Sequence, residues 1–151
     1  MGRLLGLDVG ERRIGVALSD PTGSLASPLM ALDRRAKRRD MAAVLDLAKQ
    51  HGVEGIVVGL PISLDRRLHA QGQAVQAFAR ALSKASPVPV ETWDERFSTA
   101  EAEQMLREAG REPSRDRGRV DATAAAVILQ RYLDARRDDG GRAGAVQDTV
   151  E

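Results

Sequence analysis

Apolar residues gather in two short runs at the start of the chain, 3–8 and 13–19, separated by the Gly-containing stretch VGERR. The pair predicts two strands joined by a hairpin. A third short strand is expected over 27–32. The period then changes. Met41, Val44, Leu45 and Ala48 recur at helical spacing, with Asp40 ahead of them as an N-cap and Gly52 after them as a stop. GIVVGLP, 55–61, is a compact apolar run and reads as a central strand buried on both faces. Val75, Phe78, Ala79 and Leu82 mark a second amphipathic helix, and VPVETWDE, 88–95, a further strand. STAE, 98–101, has the form of a capping box, with Ser98 as N-cap and Glu101 at the third helical position. Ala102, Met105, Leu106 and Ala109 give that helix its stripe, and Gly110 ends it.

The stretch GREPSRDRGR, 110–119, is polar and basic and reads as a mobile loop. A last helix follows over 120–137, where Ala124, Ala125 and Ala126 would allow close approach to a sheet. Residues 138–151 read as a disordered acidic tail. Helix-separated strands after an initial meander imply an α/β domain over 1–137. It would hold a mixed five-stranded sheet, its first three strands antiparallel, with helices on both faces.

Composition narrows the chemistry. The 151 residues fit one domain with a real core. Cysteine is absent, which excludes disulfides, thiolate zinc sites and cysteine nucleophiles. Aromatics are only 3%, too few for a single-strand stacking platform. No apolar run reaches the roughly 18 residues of a membrane span, and no signal peptide is apparent, so a cytoplasmic protein is expected. Net charge is +1, but the tail carries −3, leaving the body at +4. Basic residues cluster at 34–39, at Arg66 and Arg67, and at 111–119. Each cluster alone reads most simply as solvated surface; three together point toward a polyanionic partner.

Four acids on three segments stand where strands end or helices begin, the positions at which open α/β sheets collect function. Asp8 closes the first strand, Asp94 and Glu95 close the last, and Asp121 opens the final helix. Together they could form an oxygen-ligand site for Mg²⁺ or Mn²⁺. Each has a plainer reading: a turn-capping Asp8, an ion pair of Asp94 or Glu95 with Arg96, and Asp121 as a helix-dipole partner. His51 and His69 are isolated and read as surface or helix-end residues, and no Ser-His-Asp arrangement is visible.

Four blocks, GLDVGERRIGVALSD, IVVGLP, DERFSTAEAE and VDATAAAVILQRYL, resemble in order the signature blocks of the YqgF (RuvX-like) family. These are small bacterial nucleases of RNase H-like fold, also described as Holliday junction resolvases. The resemblance spans 5–133. It implies that Asp8, Glu95 and Asp121 are catalytic metal ligands, with Asp94 as a candidate fourth ligand. It also implies a two-cation phosphodiesterase, its ions about 4 Å apart. Its implied substrate is the 5′ end of the small-subunit ribosomal RNA precursor, or a four-way DNA junction. Gly10, Arg12, Arg13, Arg96, Arg115, Arg117 and Arg119 would meet the nucleic acid, and the protein would act as a monomer or a homodimer.

Two departures stand out. The family's Asp-Gly turn after GLP is replaced here by Asp65 followed by Arg66. Related junction resolvases carry two acids a turn apart on the last helix, whereas Ala124 and Ala125 follow Asp121 here. Two rival readings remain open. DVGERRIGVALSD also resembles the first phosphate loop of the sugar kinase and actin superfamily, although those proteins need two such domains and a single domain of 151 residues would not form their cleft. A non-catalytic RNA-binding ribosome-assembly factor could share the fold.

Overall fold

The protein, seen in a computed structural model, is described over residues 2–61, 69–95, 98–110 and 117–138, with backbone alone at 95, 98–101 and 138. The strands are β1 (Leu4–Val9), β2 (Arg13–Ser19), β3 (Ala26–Asp33), β4 (Gly55–Pro61) and β5 (Val90–Glu95). The helices are α1 (Lys37–Gln50), α2 (Ala70–Ala85), α3 (Ser98–Glu108) and α4 (Arg117–Asp138). They form one sheet in the order β3-β2-β1-β4-β5. β1 and β2, then β2 and β3, pair antiparallel, while β1–β4 and β4–β5 pair parallel. The expected meander and parallel extension are both present, and β4 is buried along almost its whole length.

Strand alternation divides the core in two. Leu5, Leu7, Val9, Ile14, Val16, Ile56, Val58 and Val90 meet Val44 and Ala48 of α1 and Val75, Phe78 and Leu82 of α2. On the other face, Leu4, Ala17 and Val57 pack on Ala125, Leu129, Tyr132 and Leu133 of α4. α3 packs outside α4, through Ala102 and Leu106 against Val120 and Ala124.

α4 lies unusually close to the sheet because glycines clear its path. A Cβ on Gly6 would come within 2.8 Å of the Leu129 Cβ, one on Gly59 within 2.5 Å of Ile128 Cδ1, and one on Gly15 within 1.9 Å of the Asp121 carbonyl oxygen. The far end of α4 is anchored to β5. The Tyr132 hydroxyl donates to buried Glu91 at 2.6 Å, and the Tyr132 and Trp93 rings meet edge to face at 5.6 Å. Gln130 holds the β2–β3 connection by accepting from the Ala26 N–H at 2.8 Å and donating to the Ser24 carbonyl at 3.0 Å. In that same turn, the Thr22 hydroxyl and the backbone N–H groups of Leu25 and Ser24 hold the Asp20 carboxyl down to about 2.

Asp40 is not the N-cap of the first helix. α1 begins three residues earlier, after Ala36, and Asp40 lies in its first turn. The side chain reaches back instead, accepting from the Arg35 N–H at 2.9 Å and from Arg34 Nε at 2.8 Å. Periodicity places the start too late because residues 37–39 are all basic and carry no apolar signal. Asp40 is buried and its partner only partly so. Asp40→Asn, which removes the charge but keeps the shape, is expected to cost about 2 kcal/mol, read as a lower urea midpoint with an unchanged slope.

The basic stretch 110–119 is likewise not all loop, since 117–119 already belong to α4, with Gly118 opposite Ala31 of β3 and Arg117 paired to Glu103 at 3.1 Å. Residues 111–116, and the expected Ser98 cap, lie outside what is described. α4 runs to Asp138, one residue into the tail expected over 138–151, and residues 139–151 also lie outside. His51 caps the end of α1 and His69 the start of α2, the helix-end roles expected. Among the described residues, no helix is long and apolar enough to cross a membrane.

Candidate metal and nucleic-acid site

The acids converge through one cross-strand pair. Asp8 of β1 stands opposite Gly15 of β2 in the ladder, so the two share a face. That face is α4's, as Leu4 and Ala17, of the same parity, show by packing on α4. Asp121 sits directly above Gly15, its backbone in the space where a side chain would be. Two acidic residues 113 positions apart in sequence are therefore placed around Gly15 at one end of the sheet, each half-buried. Burial of α4's alanines is what brings them together, so the helix carries no further acid here: Ala124 and Ala125 are fully buried, against α3 and β1 respectively.

Glu95 is the last residue of β5, and its backbone pairs with Pro61 of β4. It has the strand parity of Glu91 and Trp93, both packed against Tyr132; its side chain lies outside the described residues. Asp94, which is exposed, has the opposite parity, that of Val90 in the α1–α2 core. Among the described residues no three carboxylates or imidazoles cluster closely enough to hold an ion by themselves.

Arg13 has a role that sequence patterning does not reveal. Expected to face nucleic acid, its Nε donates to Asp121 Oδ2 at 2.5 Å, with the two side chains 29% and 23% exposed. This bond raises the Arg13 pKa further above its ordinary value, and the nearby Asp33 carboxylate adds to the effect. Asp33, at the end of β3, is the cross-strand partner of Arg13. Alternation identifies β2, but nothing local in the sequence links Arg13 to a residue 108 positions away.

The β1–β2 turn is held from both sides. The Gly10 N–H donates to the Arg13 carbonyl at 2.9 Å, and the Arg34 N–H donates to the Arg12 carbonyl at 2.8 Å. The Arg34 side chain donates to the Gly10 carbonyl at 2.6 Å, binds Asp40, and lies 5.6 Å from the Phe78 ring centre. Arg34, first of a basic cluster that reads as solvated surface, instead ties the turn beside Asp8 to α1 and α2. Arg12, Arg117 and Arg119 are exposed. Arg96 and Arg115 lie outside the described residues.

Asp8 and Asp121 are oxygen donors from separate elements, the donor type that hard divalent cations take, and Asp121 already carries a positive group, the Arg13 guanidinium.

A family model described as "RuvX: Holliday junction resolvase" matches residues 2–135. A Chloroflexus aurantiacus protein named "Putative pre-16S rRNA nuclease" is 45% identical over 139 residues, covering 92% of this chain and 91% of its own. A Synechococcus elongatus protein of the same name is 48% identical over 134 residues, covering 89% and 90%. Among solved structures, T. thermophilus RuvC in complex with a Holliday junction superposes with a TM-score of 0.56 at 18% identity, over 91% of this chain and 96% of that one. The Fowlpox virus resolvase bound to Holliday junction DNA gives 0.55 at 7% identity, over 89% and 98%. At such identities these two establish the fold alone. The family match and the close relatives together span the sheet, the site and α4: the chain belongs to the RuvX (YqgF) family and adopts its RNase H-like fold.

Proposed function

We propose that this nuclease hydrolyses phosphodiester bonds at the 5′ end of the 16S ribosomal RNA precursor, using Mg²⁺ or Mn²⁺. The observation that carries the reading is the placement of Asp8 beside Gly15 in the ladder and of Asp121 directly above Gly15. Asp8, Asp121 and Glu95 would hold the metal; strand parity supports Glu95 over Asp94 for the third place. When bound, the cations supply Lewis-acid stabilisation of charge on the phosphate and acidify a nearby water. The chain's own residues do the rest. Arg12, Arg117 and Arg119, with Arg96 and Arg115, neutralise flanking phosphates and set the position of the strand without reading sequence. Gly10 keeps the turn slim where a backbone must pass, and Arg34 fixes that turn in place.

The RNA reading draws on the names of the relatives that match over nine-tenths of their length. The family description favours a second reading, cleavage of a four-way DNA junction. The test sets three labelled substrates side by side: a 5′-extended 16S precursor, unstructured single-stranded RNA and a four-way DNA junction, each with Mg²⁺ and with Mn²⁺. Trimming of the precursor at least tenfold faster than cleavage of the other two is expected. Preference for the junction would replace the RNA assignment, and no cleavage of any would return the protein to a binding role.

A further inference from the structure

Arg13 occupies an oxygen that a cation would need. Its Nε lies 2.5 Å from Asp121 Oδ2, and it is anchored in β2 by a ladder that pairs it with Asp33. Cross-strand partners share a sheet face, so Asp33 lies on the face of Arg13 over which α4 sets Asp121. We propose that Arg13 is the resident counter-ion of the acid pair. It neutralises Asp121 while no metal is bound and yields that oxygen on metal loading, with Asp33 as its alternative partner. The inference rests on the metal-site reading above.

The physical grounds are three. Asp8 and Asp121 bring like charge to the same end of the sheet, and a fixed cation between α4 and β2 offsets it. A guanidinium directs its N–H groups along the lone pairs that a metal would take. Its positive charge also opposes an incoming divalent ion. Arg13 therefore serves here as a positioning residue, and its removal separates two effects which a merely structural arginine would not: stability without metal falls, while affinity for metal rises.

The experiment is calorimetric titration of Mn²⁺ into the full chain without nucleic acid. Compared are wild type, Arg13→Gln, Arg13→Lys, Asp33→Asn and Asp8→Asn. Arg13→Gln should bind Mn²⁺ roughly tenfold more tightly, as expected from removing one charge close to a divalent ion. Its metal-free melting temperature should fall, and excess Mn²⁺ should restore it. Arg13→Lys keeps the charge and should stay within about threefold of wild type. Asp33→Asn removes the alternative partner and should weaken Mn²⁺ binding by about threefold. Unchanged or weaker Mn²⁺ binding by Arg13→Gln, with binding lost in Asp8→Asn, would overturn the counter-ion role and leave the metal site standing. Should Arg13→Gln not fold, unchanged affinity in Asp33→Asn would overturn it equally. Wild-type binding indifferent to Asp8→Asn would overturn both the metal site and the inference built on it.

Discussion

Asp8→Asn leaves the fold in place and lowers cleavage by at least about a thousandfold. The substitution keeps the side chain's size, so the β1–β2 ladder and the Gly15 contact with α4 have no reason to move. What changes is the charge that β1 presents beside Gly15, under Asp121. A neutral amide offers a weaker oxygen to a hard cation and cannot share one with a second carboxylate. The metal-free melting temperature should stay within a few degrees of wild type. Wild type should gain thermal stability with millimolar Mn²⁺, and Asp8→Asn should gain little. Full cleavage by a homogeneous Asp8→Asn preparation would remove Asp8 from the chemistry and leave it as a turn residue of β1.

Much of this arrangement is legible in the amino-acid sequence. The two opening apolar runs, GIVVGLP and the alanines of the last helix are strong local signals, because each buries a continuous face. They yield the strands, the mixed sheet and the close docking of α4. The three acids stand out as exceptions to those same patterns. What stays hidden depends on pairs distant in sequence. Arg13 is one of several surface arginines by pattern, and only the fold sets Asp121 of α4 upon it. Arg34 belongs by pattern to a basic run, yet its side chain joins Gly10, Asp40 and Phe78. Asp40 has the look of a cap because the basic residues ahead of it hide the true start of α1. A period reports which face is buried; it does not report which charged residue meets which.

Gly15→Ala is expected to be the most damaging single substitution in the sheet. The added Cβ would lie 1.9 Å from the Asp121 oxygen, 2.4 Å from its carbonyl carbon and 3.1 Å from the Ala122 nitrogen. All three are backbone atoms, so no rotamer change can relieve the clash. The first turns of α4 must lift from β2, at a cost of about 4 kcal/mol. Lifting them moves Asp121 away from Asp8 and strains its bond to Arg13, so activity should fall further than stability does. A control separates the two effects. Gly52, at the end of α1, has φ +61° and nothing within 4 Å of its would-be Cβ. Gly52→Ala should cost only about 1 kcal/mol, from backbone conformation, and leave cleavage unchanged at temperatures where it is folded. The measurement pairs urea denaturation with single-turnover cleavage, assayed where both variants are more than nine-tenths folded. Wild-type cleavage by folded Gly15→Ala would mean that the chemistry does not depend on holding Asp121 over Gly15, and Asp121 would then be a packing residue of α4 rather than a metal ligand.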